Sequence, residues 1–183
     1  MKRLYYIRHG ETDYNIRNIW SGRSETKLTK KGEEQAYLAG EKLAQAGFRV
    51  DLIISSPFER TYATALIIAQ AIGYPPTDIQ KNNLFVERAY GVLEGTLKMP
   101  HTDLKQVDQM EGVETVVELQ RRAEQALVYI KSLQNYDDIL IVGHGAYGRA
   151  LQRVIKKIPA TDELDIDRVN ALSIDNAQVV ELL

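Results

Sequence analysis

Short runs of almost wholly apolar residues alternate along this chain with longer segments in which apolar residues recur at helical spacing. The apolar runs cover residues 4–7, 51–55 and 138–142. A strand with one face in water alternates apolar and polar residues, so runs without this alternation predict strands buried on both faces. Such strands are typical of parallel sheets covered by helices. We therefore expect an α/β fold, a three-layer α/β/α sandwich with a mostly parallel central sheet.

Four helices and one further strand complete the predicted order. Apolar positions three and four residues apart predict helices over residues 31–45, 58–72, 115–134 and 150–158, and a last apolar run predicts a strand over residues 178–183. Residues 77–112 carry scattered Gly, Pro, Asn and His, which predicts irregular structure. At about 150 residues per domain, the 183 residues are expected to form one domain (1–183) with a short irregular cap segment near residues 87–113.

Composition and charge exclude several classes of protein. The chain has no Cys, which rules out disulfides, thiolate catalysis and Cys-bound zinc or iron–sulfur sites. A net charge of −2 provides no positive field for a polyphosphate backbone, so nucleic acid is not an expected partner. The N-terminus lacks the apolar stretch of a signal peptide, and no run of about 18 apolar residues occurs. We therefore expect no membrane span and a cytoplasmic location.

Polar residues follow the three buried strands at the point where each strand ends. They are Arg8-His9-Gly10, Ser55-Ser56-Pro57 and Gly143-His144-Gly145. Because ligands bind to α/β sheets outside the carboxyl ends of the strands, these motifs are expected to share one cleft. The remaining histidine, His101, falls in the irregular region and is interpreted as a surface residue. Taken singly, His9 or His144 is more typical of a loop histidine that hydrogen-bonds to the backbone.

Two arginines accompany these histidines. Arg8 directly precedes His9 at a buried strand end, where an unpaired guanidinium group is costly. Arg60 lies at the start of a predicted helix, where a cation opposes the helix dipole unless an anion binds there. A salt bridge at the surface is the alternative interpretation of Arg60. Two arginines and two histidines around one cleft favour a bound phosphate dianion.

The two histidine motifs belong to a longer series. The series runs Arg8-His9-Gly10-Glu11-Thr12 with Asn15, Trp20-Ser21-Gly22-Arg23, Ser55-Ser56-Pro57-Phe58-Glu59-Arg60-Thr61, Glu87-Arg88-Ala89-Tyr90-Gly91 and Gly143-His144-Gly145. In this order the motifs resemble those of the histidine phosphatase superfamily, the phosphoglycerate-mutase-like family, from Arg8 to Asn176. The chain departs from the family after His144, where Gly145-Ala146-Tyr147 stands in place of a more usual second glycine.

This resemblance implies a covalent phosphoryl transfer in two steps. It implies that His9 attacks phosphorus, that Glu87 protonates the leaving oxygen, and that the phosphate oxygens are held by Arg8, Arg60 and His144. The implied substrate-binding residues are Asn15, Ser21, Gly22 and Gly145. Because protein cations neutralise the phosphate, we expect no metal and no cofactor. For Glu87, a solvated ion pair with its neighbour Arg88 is the alternative.

The family includes mutases, bisphosphatases and phosphatases, so the resemblance leaves the reaction open. Few residues separate Glu87 from His144 once the helix over 115–134 is placed, and the chain ends soon after its last predicted strand. Both features favour hydrolysis, because a mutase must keep water from its phosphohistidine. We expect a phosphomonoester hydrolase of the histidine acid phosphatase type that acts on a small phosphorylated metabolite. The alternatives are a cofactor-dependent phosphoglycerate mutase, favoured by the mutase-like residues 87–91, and a non-catalytic module that binds phosphate or a phosphoprotein.

Residues 97–113 are expected to determine specificity. Within this segment Lys98, His101 and Lys105 either contact a second anionic group of the substrate or face water. The sequence leaves both possibilities open, and it leaves the oligomeric state open as well.

Overall fold

A five-stranded sheet forms the centre of the structure, a computed structural model that describes residues 2–183. In chain order the strands are β1 (Arg3–Arg8), β2 (Leu52–Ser55), β3 (Gln80–Lys81), β4 (Asp138–Gly143) and β5 (Val179–Glu181). Their spatial order is β3-β2-β4-β1-β5, and only β5 runs antiparallel to its neighbour, β1. The predicted α/β fold with a mostly parallel sheet is confirmed.

Helices cover both faces of this sheet. They are α1 (Asp13–Ile16), α2 (Lys30–Gln45), α3 (Glu59–Ile72), α4 (Leu104–Val107), α5 (Val116–Ser132), α6 (Gly145–Lys156) and α7 (Ile166–Ala171). Short 3₁₀ turns lie at Pro76–Asp78, Asn83–Phe85, Gly91–Leu93 and Ala160–Leu164. Helices α2 and α3 pack together on one face, and α5 and α6 pack together on the other. None of the helices within residues 2–183 is long and apolar enough to cross a bilayer.

Alternate residues of the strands enter two separate cores, which explains why the strands are apolar throughout. Tyr6 and Ile141 pack with α5 and α6, whereas Ile7 and Leu140 pack with α2 and α3. All four side chains are fully buried. A strand that is buried on both faces has no side chain that faces water. The polar residues of these segments are therefore found at the strand ends.

The sequence prediction was wrong at the edges of several elements. Helix α6 begins at Gly145 rather than at residue 150, and the buried Ala146 and Tyr147 of its first turn extend the apolar spacing of Ala150 and Leu151 towards the N-terminus. The segment 77–112 is not wholly irregular, since it contains β3 and α4. Helix α7 was not predicted; it has six residues, too few for a periodic pattern, and Asp165 caps its first turn. The last strand is limited to Val179–Glu181.

The parallel register brings the polar strand ends to one edge of the sheet. Arg8 pairs with Gly143, and Ser55 pairs with Val142. The next residues continue the pattern, because the His9 N–H donates to the Gly143 carbonyl (3.0 Å) and the Ser56 N–H donates to the Val142 carbonyl (3.1 Å). As expected for this class of sheet, the three polar motifs therefore meet in one cleft.

Candidate active site

A small pocket of about 90 Å³ lies at this edge of the sheet. The residues that line it are Arg8, His9, Asn15, Ser21, Gly22, Arg60, Glu87, Tyr90, Lys98, Gly145, Ala146 and Arg149. Eight of the nine predicted site residues are in this set. The ninth, His144, is fully buried, and its ring centroid lies 5.4 Å from that of His9. The structure thus brings all nine residues together.

His9 is held as a neutral ring with one free nitrogen. Its Nδ1 lies 2.7 Å from the carbonyl oxygen of Gly10. A carbonyl oxygen only accepts, so Nδ1 carries the proton and Nε2 keeps its lone pair. Burial, and then the charges of Arg60 and Arg8, hold the pKa of His9 well below its usual value. Nε2 is therefore available as a nucleophile at neutral pH.

Tyr6 fixes the backbone at His144. Its hydroxyl group accepts from the His144 N–H (2.6 Å) and donates to the His144 carbonyl (2.7 Å). Two glycines make room for the ring, since a Cβ at Gly143 would lie 2.2 Å from the Tyr6 hydroxyl oxygen and a Cβ at Gly148 would lie 2.7 Å from Cε1. The sequence indicated only a buried strand residue at position 6, so this role was missed.

The imidazole ring of His144 has a hydrogen-bond partner at only one of its two nitrogens within residues 2–183. Its Nε2 lies 2.8 Å from the hydroxyl oxygen of Ser56, while its Nδ1 has no partner among residues 2–183. Burial, followed by the charge of Arg60, holds the pKa of His144 well below its usual value, so this ring is also neutral near pH 7. If the Ser56 hydroxyl donates to Nε2, Nδ1 carries the proton and is left as a donor.

Arg60 is not in a surface salt bridge, and that alternative is wrong. The side chain is 1% exposed; its Nη1 donates to the Ser24 carbonyl and its Nη2 to the Gly22 carbonyl, both at 2.8 Å. Burial lowers its pKa, but a guanidinium group stays charged at any physiological pH. Its buried Nε has no partner among the described residues. A buried cation with a free donor is a strong site for an anion.

Arg8 has a similar arrangement: its side chain is half-buried and, like that of Arg60, has a buried Nε. Its Nη1 donates to the Ile174 carbonyl (3.0 Å), and its buried Nε has no partner within residues 2–183. Burial lowers the pKa of this guanidinium group as well. A Cβ at Gly145 would lie 3.5 Å from that Nε, so the glycine keeps the space beside it open.

Glu87 is not in a solvated ion pair, because its carboxylate sits at the N-terminus of α6. The Oε1 atom accepts from the N–H groups of Arg88 (2.8 Å) and Tyr147 (2.9 Å), and Oε2 accepts from that of Ala146 (3.2 Å). The neighbouring Arg88 pairs with Asp108 instead. The carboxyl group is thus held rigidly at the pocket wall.

Two further carboxylates hold the loops that carry the site. Glu94 accepts from the N–H groups of Arg23 and Tyr90, both at 3.0 Å, and so fixes the turn at Gly22, where φ is +48°. Glu114 pairs with Arg122, whose Nη1 donates to the Val86 carbonyl (2.7 Å) just before Glu87. Arg122 therefore supports the loop.

The predicted substrate-binding residues supply polar groups to the pocket. The buried hydroxyl group of Ser21 has no partner among residues 2–183. The Oδ1 of Asn15 accepts from the Thr12 N–H (3.0 Å), which caps α1 and aligns the amide with the pocket wall. At Gly22 the carbonyl is already occupied by Arg60.

Arg149 is a pocket residue that the sequence analysis missed. Its Nε and Nη2 bind the carboxylate of Glu163, at 3.0 Å and 2.5 Å from Oε1, and the same carboxylate also pairs with the buried Arg153. Although burial acts in the opposite direction, Glu163 raises the pKa of this guanidinium group. Because the prediction started this helix at residue 150, Arg149 was left outside it.

The sequence does not decide whether Lys98, His101 and Lys105 contact the substrate or water. The structure places these three residues differently. Lys98 lines the pocket, with Nζ 5.0 Å from the ring centroid of Trp20. His101 lines only a larger adjoining cavity, and Lys105 lines neither. Within residues 2–183 no group of three or more His, Asp or Glu side chains is arranged to bind a metal ion.

With the site described, the family can be stated. The model of the histidine phosphatase superfamily (branch 1) matches residues 4–182. The chain therefore belongs to this superfamily, and the predicted membership is confirmed. The relatives of this chain that are described below are named as phosphatases or as mutases. The chain is therefore a phosphatase- or mutase-like enzyme of this superfamily.

Relatives with both kinds of name match this chain. It is 30% identical over 182 residues to the uncharacterized phosphatase PhoE of Bacillus subtilis, covering 99% of this chain and 90% of that protein. It is 34% identical over 174 residues to the probable phosphoglycerate mutase GpmB of Salmonella paratyphi B, covering 89% of this chain and 79% of that protein. The chain spans about half (46%) of the 2,3-bisphosphoglycerate-dependent phosphoglycerate mutase of Bartonella bacilliformis, at 36% identity over 95 residues.

A solved structure is similar throughout. The alpha-ribazole phosphatase from Shigella flexneri superposes with a TM-score of 0.78 at 25% identity, covering 98% of this chain and 89% of that one. This similarity agrees with the order and direction of the strands described above.

The neutral state of His9 leads to a prediction about stability in acid. Below about pH 6.5 the unfolded chain takes up a proton on each histidine, whereas the folded chain keeps His9 neutral to a lower pH. Acid therefore favours unfolding, by up to about 1.4 kcal/mol per pH unit for this residue. Between pH values of about 6.5 and 5.5, the free energy of unfolding should fall by about 1 kcal/mol more in the wild type than in His9→Gln. Urea titrations at both pH values measure the free energy of unfolding. An equal fall in the wild type and in His9→Gln would show that the folded chain protonates His9 as readily as the unfolded chain does.

Proposed function

We propose that this chain is a phosphomonoester hydrolase, of the histidine acid phosphatase type, that forms a phosphohistidine at His9. One observation carries the proposal: a neutral, buried histidine with a free Nε2 lies in the same pocket as Arg8 and Arg60, whose buried Nε atoms have no partner among residues 2–183. A phosphate dianion supplies the missing charge and acceptors, and it brings phosphorus to the nucleophile. A site for binding alone needs no such nucleophile, which argues against a non-catalytic module.

In the first step the Nε2 lone pair of His9 forms a bond to phosphorus while the ester P–O bond breaks. The hydrogen bond from Nδ1–H to the Gly10 carbonyl stabilises the positive charge that develops on the ring. Arg8 and Arg60 hold the equatorial oxygens of the phosphoryl group. Both side chains are in position before the reaction begins. The alcohol oxygen takes the proton of the Glu87 carboxyl group, which gives up one of its backbone hydrogen bonds to donate.

In the second step a water oxygen forms a bond to phosphorus and the N–P bond breaks. The Glu87 carboxylate takes a proton from that water, which restores the acid, and inorganic phosphate leaves. Overall, one ester and one water give one alcohol and one phosphate. The proposed substrate is therefore a small phosphorylated molecule, and the reaction needs no redox partner.

The charges around the pocket support hydrolysis over mutase activity. A bisphosphorylated cofactor carries a second phosphate that would need further free cations. Of the remaining cationic residues in the pocket, Arg149 is paired with Glu163, and Lys98 alone forms no ion pair within residues 2–183. Arg122 is engaged with Glu114. The mutase stays the second candidate, because the relative GpmB carries that name.

Product analysis separates the two reactions. With 3-phosphoglycerate as substrate, we expect inorganic phosphate and glycerate, and no 2-phosphoglycerate whether or not 2,3-bisphosphoglycerate is added. Phosphorus NMR follows all of these products in one sample. Formation of 2-phosphoglycerate that depends on the bisphosphate would identify a mutase and overturn the proposal.

The role of Glu87 is tested with two leaving groups. An alkyl phosphate leaves as a strongly basic alkoxide and needs a proton, whereas p-nitrophenolate hardly does. Glu87→Gln should therefore slow phosphorylation by an alkyl phosphate by roughly 10²–10⁴-fold and phosphorylation by p-nitrophenyl phosphate much less. Single-turnover kinetics measure this step without phosphohistidine hydrolysis.

The aryl ester also serves as the control, since activity towards it shows that the variant is folded. Equal losses with both esters would mean that Glu87 positions the loop or the phosphate and that another group supplies the proton.

A further inference from the structure

The catalytic pocket is large enough for a phosphoryl group and little else. Its volume is about 90 Å³, well below the roughly 300–1,000 Å³ of cavities that enclose a small organic molecule. The alcohol part of a substrate must therefore lie outside this pocket. Its position is determined by what adjoins the pocket.

A second cavity of about 550 Å³ adjoins it. The two share Tyr90, Lys98 and Arg149, which stand at their junction. Sites for small organic molecules have volumes of about 300–1,000 Å³, so the second cavity is of suitable size. A phosphorylated acid of three carbons would leave most of it unfilled.

Six of the thirteen residues that line the second cavity are apolar or aromatic, and they come from distant parts of the chain. One side is formed by Trp20 and Tyr90, whose rings pack at a centroid distance of 4.4 Å and are both buried. Val169 and Ile166 of α7 also line the cavity, and Ile166 is 60% exposed. Further apolar lining comes from Met99 and Leu104. A cavity lined by a packed aromatic pair and by aliphatic side chains is suited to a flat apolar group.

The charged residues around this cavity are mostly paired. Arg149 binds Glu163, and Arg88 binds Asp108. Lys98 forms no ion pair within the described chain, but it stands at the junction over Trp20, where burial lowers the pKa of its ammonium group. The unpaired charge is thus close to the phosphate, and the interior of the cavity is left for uncharged groups.

We propose that this cavity binds the alcohol part of the substrate and that this part is an aromatic or similarly bulky apolar group. The inference rests on the proposed phosphatase activity and narrows its substrate class. The ring lies between Trp20 and Tyr90 on one side and Ile166 on the other, and the ester carbon passes Lys98 to place phosphorus beside His9. Small phosphorylated acids are then poor substrates.

Three phosphate esters with the same kind of leaving oxygen test the proposed preference for a bulky apolar alcohol part. Ethyl phosphate, 2-(1-naphthyl)ethyl phosphate and 3-phosphoglycerate all release a primary alkoxide, so they need the same acid and differ in what the cavity must hold. We expect kcat/KM for the naphthyl ester to exceed that of each of the others by at least about tenfold, as is usual for filling an apolar pocket. Phosphate release measures all three.

A pair of matched variants links the preference to the cavity. Ile166→Ser removes apolar contact from the wall, and it should lower the naphthyl-to-ethyl ratio of kcat/KM about three- to tenfold. Val128→Ser changes a comparably exposed residue (68%) on α5, which is not among the residues that line the cavity, and it should leave the ratio unchanged.

The outcomes separate this inference from the proposed function. A higher kcat/KM for 3-phosphoglycerate, equal values for the three esters, or equal ratios in the two variants would overturn the inference while phosphatase activity stands. Release of phosphate from none of the esters would overturn the phosphatase assignment and this inference with it.

Discussion

Two guanidinium groups that have a buried Nε and no carboxylate partner, those of the buried Arg60 and the half-buried Arg8, are the constraint on which the site depends. Neither Arg8 nor Arg60 forms an ion pair within residues 2–183, and both are held by backbone carbonyls instead. Uncompensated charge in a dry site is costly, and a bound phosphate removes that cost. Burial, together with these two charges, lowers the pKa of His9 and keeps it neutral, so the arginines that attract the substrate also help to preserve the nucleophile.

The fold supplies this arrangement through the carboxyl edge of a parallel sheet and a few buried acids. The sheet aligns the ends of β1, β2 and β4. Glu87, Glu94 and Glu114 then each accept from backbone N–H groups, and together they hold the loops over the pocket. None of these three carboxylates forms an ion pair with Arg8 or Arg60 within residues 2–183. Positioning and charge are thus provided by different side chains, as phosphoryl transfer requires.

Much of this could be predicted from the sequence, because the strongest signals are local. Fully apolar runs predict the buried strands, and the residues that follow those runs must lie at one edge. What was missed depends on contacts between distant segments. The role of Tyr6 depends on space at Gly143 and Gly148, and Arg149 depends on where α6 begins. The second cavity combines residues near positions 20, 90, 100 and 166, and no periodic pattern indicates that they meet.

The central claim is that His9 carries the phosphoryl group, and trapping the intermediate tests it most directly. The protein is mixed with a phosphomonoester, quenched in alkali within one turnover, digested and analysed by mass spectrometry. The account predicts an acid-labile phosphoryl group on the peptide that contains His9, with the bond at a ring nitrogen, and no such label in His9→Gln. A phosphoryl group on another residue, or phosphate release by the His9→Gln variant at the wild-type rate, would contradict it.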